Sequence, residues 1–453
     1  MNNYVYTFCL VLSLLCLQSN AVSQELTKEK PNILIILTDD QGYHDVSYYG
    51  TQDIRTPNID SLRNAGMRFD NFYSNSPVCA PTRAALMSGK YPDKVGVPGL
   101  IRSHPENNWG YLDPSVTLLP AKLKDAGYHT AHIGKWNLGL DSPNLPNEKG
   151  FDLFHGWLED MMEDYIDKRR FGKNYMRLND REIDPEGHAT DLFSSWASEY
   201  IRSREGKQEP FFMYLAYNAP HFPVQPPKEW LDKVNERDPN LPEKRAKLIA
   251  LIEHMDDGIG QVIQALKDTG EYENTLIIFT SDNGGHLPDL ANNGPLRDGK
   301  QSMYEGGLRV PTVVVWPNKI KRGSTTKGVN ASMDIYPTIL EITGMEPNII
   351  MDGRSFLSTL YGKEMHEKRE LYFVRREGGL TYGGNAYHAL IKGNWKLLQN
   401  NPYEPLELYN LQIDPGEKTD LVKTYPEKVK EMNKVLMKHI QEGGSVPWQK
   451  GDF

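Results

Sequence analysis

The chain has 453 residues, more than one ordinary hydrophobic core accommodates, so its length predicts one large domain and a smaller one. Hydrophobic residues make up 39% of it and charged residues 25%, a composition typical of globular proteins. The formal net charge of −9 argues against a nucleic-acid-binding surface. It does not exclude an anionic substrate, because a local cluster of cations can oppose the overall sign.

The amino-terminal region contains an apolar run that predicts an export signal. The run, residues 8–17, is too short to span a bilayer as a helix, and small residues that suit cleavage follow it. We therefore expect residues 1–23 to be a signal peptide and the mature protein to be periplasmic or secreted, without a membrane span. Lipidation at Cys16 is disfavoured, because Leu15 is a poor residue before a lipidated cysteine.

Short apolar runs then alternate with amphipathic helical patterns. The runs predict strands at 32–37, 130–134, 211–216, 275–280 and 312–316, and the helical patterns lie at 57–66, 116–127 and 245–270. This alternation predicts an α/β domain with a large mixed, mostly parallel sheet flanked by helices, which we place at residues 24–345. Strand-like alternation and a helical pattern at 426–441 predict a smaller C-terminal α+β domain at residues 346–453, with a small antiparallel sheet and a helix.

Polar residues follow the predicted strands of the large sheet, where sites of α/β proteins lie. Each of them alone is an ordinary turn residue. Their carboxylate and amide oxygens suit Ca²⁺ or Mg²⁺ rather than zinc, so together they predict a hard-cation site. The residues at the strand ends are Asp39, Asp40, Lys135, Asn137, His221, Asp282 and Asn283.

Cys79 is the single cysteine that remains once the signal segment is removed. It is either a buried small apolar side chain or a reactive thiol. Pro81 suits the first position of a helix and Gly89 its end, which would place Cys79 just before a helix amino terminus. Arg83, about one turn into that helix, can reach back to the same point. A nucleophile, a guanidinium and a helix amino terminus together favour attack on an oxyanion.

The stretch "CAPTR", residues 79–83, resembles the Cys-x-Pro-x-Arg signature of type I sulfatases of the alkaline-phosphatase-like superfamily. The resemblance extends over residues 31–440 in further blocks in the same order, and is to bacterial polysaccharide sulfatases. It implies an alkaline-phosphatase-like fold. It also implies that a formylglycine-generating enzyme converts Cys79 to Cα-formylglycine before the chain folds. The further blocks include "PNILIILTDDQGY", "GYHTAHIGKWNLG", "LIIFTSDNGG" and "GKQSMYEGGLRVP".

The resemblance also implies a mechanism. The hydrated aldehyde of residue 79, activated by Ca²⁺ and Arg83, attacks the sulfur of a sulfate ester, and the covalent sulfate then leaves by elimination. Lys135 and Lys300 resemble the cations that hold the sulfate, and His221 resembles the general acid that protonates the leaving alcohol. The ligands implied for one Ca²⁺ per chain are Asp39, Asp40, residue 79, Asp282 and Asn283.

Asn137 departs from the family pattern, which usually has Gly-Lys-Trp-His-Leu-Gly where this chain has "GKWNLG". The replaced histidine is commonly assigned the base role in the elimination, and asparagine cannot take a proton at neutral pH. Three explanations stay open: another base such as His132, His104 or His286 substitutes, elimination is not rate-limiting, or the enzyme is slow or inactive. We expect Asn137 to position the reacting diol.

The polar loop at residues 100–109 is the predicted substrate loop, through Arg102, His104 and Trp109. The predicted substrate is a sulfated carbohydrate, foremost a marine algal polysaccharide such as ulvan or carrageenan, and secondly a glycosaminoglycan. Two alternatives are a phosphonate or phosphate ester hydrolase of the same superfamily and a non-catalytic sulfated-glycan-binding protein. Arg309 is predicted to be structural and paired with Glu305.

Overall fold

The computed structural model of the protein describes residues 30–346, 350–363, 369–377 and 386–450. The predicted signal peptide at residues 1–23 lies outside these ranges. Among the helices in these ranges, none has the length and apolar character needed to cross a membrane.

Ten strands form one mixed sheet in the order β12-β2-β11-β10-β1-β9-β3-β4-β7-β8, and β5 pairs with β6 in a separate hairpin. The first twelve strands in chain order are β1 (Asn32–Thr38), β2 (Met67–Tyr73), β3 (His129–Lys135), β4 (Leu153–Trp157), β5 (Arg169–Arg170), β6 (Lys173–Asn174), β7 (Met176–Leu178), β8 (Arg181–Glu182), β9 (Phe211–Ala216), β10 (Thr275–Ser281), β11 (Thr312–Val315) and β12 (Ser324–Ala331).

Helices cover both faces of this sheet, and the last helix of the chain packs on the C-terminal sheet instead. They are α1 (Pro57–Ala65), α2 (Cys79–Ser88), α3 (Leu119–Asp125), α4 (Ala189–Ser203), α5 (Lys228–Arg237), α6 (Glu243–Asp268), α7 (Glu305–Leu308), α8 (Ile335–Ile342), α9 (Leu357–Leu360) and α10 (Pro426–Gly443).

The central strand β1 illustrates why these residues form a buried parallel sheet. It pairs in parallel with both β9 and β10, and all seven of its residues are buried. Ile33 and Ile35 pack in the core cluster that contains Leu86 of α2, while Leu34 packs in the cluster that contains Leu251 of α6. A continuous run of branched apolar residues therefore packs in the core on both faces of the sheet, as expected for a sheet covered by helices on each side.

The predicted α/β fold is confirmed. The five predicted strands all form, and the segment at 312–316 is the strand β11, which runs antiparallel between β10 and β2. Strands β2 and β4 were not predicted, because "MRFDNFY" and "LFHGW" mix polar and apolar residues without a clear period. Neighbours along the sheet, rather than local pattern, determine these two strands.

The C-terminal part forms a four-stranded antiparallel sheet, as predicted. Its strands are β13 (Glu370–Arg376), β14 (Ala386–Lys392), β15 (Trp395–Gln399) and β16 (Glu407–Asn410). Helix α10 covers the sheet through Met432 and Leu436, which share a core cluster with Leu390 and Leu397.

Candidate active site

The side chains predicted at the strand ends converge at the carboxyl edge of the large sheet. Asp39 and Asp40 directly follow β1, Asp282 follows β10, Lys135 is the last residue of β3, and His221 lies in the loop after β9. Strands β10, β1, β9 and β3 are parallel neighbours, so their carboxyl ends meet at one edge. The topology thus brings together groups that are far apart in sequence.

Cys79 is the first residue of α2, and Val78 is the extended residue before it. The helix therefore starts two residues earlier than predicted, with Pro81 as its third residue, whereas Gly89 ends it in a left-handed conformation as predicted. Cys79 is 1% exposed, and its Sγ donates a hydrogen bond of 3.3 Å to Asp39 Oδ1. Burial, followed by the charge of Asp39, raises the pKa of the Cys79 thiol well above its ordinary value, so the thiol stays protonated.

Arg83 and Lys135 form a buried cationic clamp beside Cys79. Arg83 donates through Nε and Nη2 to Asp282 Oδ2 at 3.0 and 2.7 Å, and through Nη1 to the Lys135 carbonyl at 3.1 Å. Lys135 Nζ donates to Asp39 Oδ2 at 2.6 Å. These contacts fix both cations without flexible loops, because one lies on α2 and the other ends β3.

Lys300 and His221 form a second pair, in contact with Asp40. Lys300 Nζ lies 2.7 Å from Asp40 Oδ2 and 3.1 Å from His221 Nε2. Burial, and next the charge of Lys300, lower the pKa of His221 to about 3. The neutral imidazole therefore accepts from Lys300, and its Nδ1 donates to the Phe222 carbonyl at 2.6 Å.

Tyr165 is a residue of this site that the sequence did not reveal. Its hydroxyl lies 2.8 Å from the Asn218 carbonyl and 2.9 Å from the His221 carbonyl, so it fixes the loop that carries His221. An aromatic residue in an irregular segment carries no periodic signal, and only the fold places it here.

The acidic residues fit a divalent cation. Asp39, Asp40, Asp282 and Asn283 are all buried, and oxygens of Asp39 and Asp40 lie within 4.8 Å of Cys79 Sγ and a His221 ring nitrogen. The Asn283 amide donates to Asp40 Oδ1 at 2.8 Å, while Asn283 Oδ1 has no hydrogen-bond partner in the part of the chain that the structure describes. Three carboxylates and a spare amide oxygen in a buried site are the hard donors that Ca²⁺ prefers.

Comparison with known proteins identifies the family. A model of the Sulfatase family matches residues 31–345, and one described as N-sulphoglucosamine sulphohydrolase, C-terminal, matches residues 298–443. The chain belongs to the sulfatase family. The sulfatase is 30% identical to N-acetylgalactosamine-6-sulfatase of Rattus norvegicus over 425 residues, which are 88% of this chain and 78% of the relative. It is 32% identical to the Homo sapiens enzyme over 368 residues, 76% of this chain and 68% of the relative.

Solved structures agree with this assignment. The crystal structure of Ps i-CgsB in complex with k-i-k-neocarrahexaose has a TM-score of 0.84 and 31% identity, covering 93% of this chain and 95% of that chain. A phosphonate monoester hydrolase of Agrobacterium radiobacter, with a TM-score of 0.65 and 20% identity, shares the fold alone. The sulfatase therefore has the alkaline-phosphatase-like fold and is a sulfuric ester hydrolase.

Asn137 of the sulfatase is buried at 1% exposure with a left-handed backbone at φ 55°. Its Nδ2 donates to the Ile101 carbonyl at 3.0 Å, and its backbone N–H donates to the Leu158 carbonyl. Its Oδ1 has no hydrogen-bond partner within the described ranges. Asn137 therefore ties the loop at 100–109 to the end of β3 and leaves one spare acceptor.

The three histidines considered as a substitute base occupy different environments. His132 is fully buried between Phe154 and Tyr214, and burial lowers its pKa to about 3, so it is a core residue rather than a base. His104 is half-exposed, and its Nδ1 lies 2.9 Å from Glu106 Oε1. His286 Nδ1 lies 2.6 Å from Asp289 Oδ2.

Arg102, a predicted substrate residue, is engaged by carboxylates. Its Nε donates to Asp160 Oδ2 at 3.1 Å, and its Nη2 lies 3.8 Å from Glu377 Oε1. Asp160 follows β4, next to Glu159, whose Oε1 accepts from the backbone N–H of Ser103 at 2.6 Å. The carboxyl end of β4 thus contributes two buried acidic residues that the sequence did not indicate, because β4 itself was not predicted.

Glu159 gives the sulfatase a pH-dependent stability. Burial and then its hydrogen bond with Asp160 raise the pKa of Glu159 to about 8 from an ordinary 4.5. Between these two values the folded state binds more protons than the unfolded state. Stability therefore falls as pH rises, by up to about 1.4 kcal/mol per pH unit. We expect Glu159→Gln to remove this pH dependence. The melting temperature of the variant should therefore rise relative to that of the wild type as the pH increases from 5 to 8.

Thermal melts at pH 5, 6, 7 and 8 measure this difference. Glu229→Gln, at an exposed glutamate on α5, is the control and should run parallel to the wild type. Parallel curves for Glu159→Gln and the wild type would show that Glu159 is ionised in the fold.

Proposed function

We propose that this sulfatase removes sulfate esters from a polysaccharide or its oligosaccharides, with a formylglycine formed from Cys79 and one bound Ca²⁺. The observation that supports it is the buried cluster in which Cys79 meets three carboxylates, two lysines and Arg83 at one edge of the sheet. A sulfate ester is a small anion, and a buried site with this number of fixed cations suits it.

The relatives support a galacto-configured sugar. The mammalian relatives are named for N-acetylgalactosamine 6-sulfate, and one structural neighbour was crystallised with a neocarrahexaose. Carrageenan is a sulfated galactan, so both kinds of relative handle galactose or its amino derivative. We therefore place a sulfated algal galactan first, ahead of ulvan, and a glycosaminoglycan that contains N-acetylgalactosamine second.

The acidic and the cationic residues of the site have different roles. Asp39, Asp40, Asp282 and Asn283 hold the cation, which when bound supplies Lewis-acid activation at residue 79. The formylglycine supplies a hydrated aldehyde as nucleophile. Lys135 and Lys300 neutralise the non-bridging sulfate oxygens. Arg83 holds Asp282 and the end of β3 in position through its hydrogen bonds to both.

We assign protonation of the departing alcohol to His221 in its imidazolium form, which carries one proton more than the neutral ring described above. Its Nε2 is the nitrogen that faces the acidic cluster, 3.1 Å from Lys300 Nζ and 3.6 Å from Asp40 Oδ2. Tyr165 and the Phe222 carbonyl keep the ring in this orientation. A positioned acid of this kind typically contributes about 10²–10⁴-fold to the rate.

Maturation must precede folding. Cys79 is 1% exposed at the buried start of α2, so a formylglycine-generating enzyme has no access to the thiol in the folded chain. An exported chain with a signal peptide at residues 1–23, modified before it folds and released into the periplasm or medium, satisfies this requirement.

Sulfate release measured by ion chromatography tests the proposal. The protein, co-expressed with a formylglycine-generating enzyme and supplied with Ca²⁺, is incubated with carrageenan, ulvan and glycosaminoglycan oligosaccharides, with and without a chelator. Release from a galactan that the chelator suppresses is the expected result. No release from any glycan by protein confirmed to carry formylglycine would overturn the carbohydrate substrate and favour a phosphonate ester. A matured protein that binds sulfated glycans without releasing sulfate would be a binding protein.

The presence of Asn137 where the family usually has a histidine leads to a kinetic prediction. We expect steady sulfate release without an initial burst, and a kcat for Asn137→His within about threefold of the wild type, because we place first the explanations in which another base substitutes or elimination is not rate-limiting. Stopped-flow and steady-state measurements on one oligosaccharide check both points. A burst in the wild type, together with a gain of about 10²-fold or more in Asn137→His, would show instead that the lost base limits turnover.

A further inference from the structure

The segment between β4 and β7 leaves and re-enters the sheet beside the catalytic cluster. Lys135 pairs with Trp157 at the end of β4, and Trp157 pairs in turn with Met176 at the start of β7. Because β4 and β7 are antiparallel, residues 158–175 form an excursion whose two ends both lie at the carboxyl edge. The hairpin β5–β6 is the outer part of this excursion, which we call the recognition arm.

Ion pairs hold the recognition arm in place. Asp160 lies 3.1 Å from Arg102 and 3.4 Å from Arg170, so one carboxylate joins the loop at 100–109 to the arm. Burial raises the pKa of Asp160, but the hydrogen bond with Glu159 and the charges of Arg170, Arg102 and Lys135 lower it to about 2. The arm is thus fixed at a defined position, within electrostatic reach of the catalytic Lys135.

Phe171 at the tip of the arm is not explained by packing. It is 50% exposed, and its φ of 50° is a left-handed conformation that a bulky aromatic residue adopts only at an energetic cost. The Arg170 guanidinium lies 4.2 Å from the Phe171 ring centroid, and the His104 and Phe171 ring centroids lie 4.6 Å apart in a T-shaped arrangement. Two neighbours therefore hold an exposed aromatic face in a fixed orientation.

A cleft of about 540 Å³ begins two residues along the chain from Phe171, which is not itself part of the lining. Its walls are Ser103, next to His104, the pair Leu140 and Asp141, and the arm residues from Lys173 to Tyr175. Within the described residues neither Lys173 nor Asp141 takes part in an ion pair, whereas Arg177 in the same cleft pairs with Glu182 at 3.2 Å. One uncommitted ammonium and one uncommitted carboxylate thus face a volume that fits a sugar ring.

We propose that this cleft binds the sugar unit next to the one that loses its sulfate. Phe171 stacks on the apolar face of the pyranose ring, Asp141 accepts hydrogen bonds from its hydroxyl groups, and Lys173 faces an anionic substituent. The inference rests on the proposed function, since it deepens the same site from one sulfate to a flanking sugar. The mixture of one aromatic face and opposite charges suits a sulfated glycan better than an anion alone.

The test separates this subsite from the catalytic centre. KM and kcat are measured for 4-nitrophenyl sulfate, which fills only the reacting position, and for the galactan disaccharide and hexasaccharide. We expect Phe171→Ala and Lys173→Met each to raise KM for the hexasaccharide about tenfold and to leave 4-nitrophenyl sulfate unchanged. The control is Tyr361→Ala, because Tyr361 is 52% exposed and follows α9, near β2 at the other end of the sheet.

The outcomes also distinguish the inference from the proposed function. A hexasaccharide KM that neither Phe171→Ala nor Lys173→Met changes would overturn the subsite and leave the sulfatase substrate intact. Equal losses on both substrates would mean general damage and would also overturn it. Hydrolysis of 4-nitrophenyl sulfate, without hydrolysis of any oligosaccharide, would overturn the carbohydrate substrate and the subsite with it. Calorimetric titration of the hexasaccharide into Cys79→Ala, with and without Phe171→Ala, should show the same tenfold loss of affinity.

Discussion

The Cys79→Ala variant is expected to release sulfate at least about 10⁴-fold more slowly than the matured wild type, because alanine can neither attack sulfur nor become an aldehyde. Cys79 is buried at the first turn of α2, in hydrogen-bond contact with Asp39, and the change removes one atom. The cations Arg83, Lys135 and Lys300 keep their carboxylate partners, so substrate binding should survive. Ion chromatography of released sulfate and calorimetric binding of the same oligosaccharide separate the two effects.

Cys79→Ser is the matched control for this variant. Serine keeps the size of the side chain and a hydrogen-bond donor toward Asp39, but an enzyme that oxidises cysteine cannot convert it. We expect it to be inactive as well. Full activity of Cys79→Ser, with mass spectrometry showing an unmodified hydroxyl, would indicate an ordinary hydroxyl nucleophile. Retained activity in Cys79→Ala would mean that the reacting group lies elsewhere.

The sequence predicted the catalytic edge of the fold well, for a physical reason. Strands that are buried on both faces must be continuously apolar, so runs such as "NILIIL" are visible without any structure, and so are the polar residues where they stop. Asp39 after β1 and Asp282 after β10 follow directly from this pattern. Their convergence needs only the rule that parallel strands end at one edge.

The opposite side of the site was not predictable in the same way. Strand β4 reads "LFHGW", and the recognition arm consists of two-residue strands with mostly polar residues, so neither has a periodic signal. Arg102 pairs with Asp160 at the end of β4, and its role in binding a substrate stays a prediction. The sequence shows the arginine but not its partner, because the partner is chosen by tertiary structure.

Helix boundaries and backbone conformation account for the remaining differences between the sequence-based predictions and the structure. The presence of Pro81 favoured a helix start at that residue, but proline is tolerated throughout the first turn, where the N–H groups have no intrahelical partner. Asn137 was identified from its departure from the family pattern. Its left-handed backbone and its unpartnered Oδ1 emerge only from the packing around it. The metal ion, the formylglycine and the roles of Lys135, His221 and Lys300 stay predictions.

A buried ion network connects the C-terminal sheet to the catalytic part of the molecule. Lys396 of β15 is fully buried, with its Nζ 2.9 Å from Glu305 Oε1 and 2.8 Å from Glu417 Oε1. Glu305 also accepts from Arg309 at 2.5 Å, which confirms the predicted pair, and from the Tyr73 hydroxyl at 2.9 Å. Two cations therefore neutralise two buried carboxylates. One of these carboxylates, Glu305, lies five residues after Lys300.

Removal of Lys396 should be among the most destabilising single changes in the protein. We expect Lys396→Met to lower the free energy of unfolding by about 3–5 kcal/mol, because Glu417 loses its cation and Glu305 keeps only Arg309. Burial already raises the pKa of Glu417 to about 7, so part of the loss will appear as proton uptake by this carboxyl group. The double variant Lys396→Met/Glu417→Gln should recover much of the stability, since a neutral amide needs no counter-charge.

Thermal melts at one fixed scan rate, with residual sulfate release after heating, measure this effect. Lys392→Met on β14 is the control, because that lysine is one-third exposed and its surface pair with Glu370 is worth about 1 kcal/mol or less. Arg375 Nη1 donates to the Gln301 carbonyl at 2.8 Å, and Asn400 Oδ1 accepts from the Met303 N–H at 2.7 Å, so the C-terminal sheet directly holds the segment after Lys300. Activity should therefore be lost over the same lowered temperature range as the fold. If Lys396→Met were as mild as Lys392→Met, the network would be dispensable, and the position of Lys300 would depend on its own contacts with Asp40 and His221.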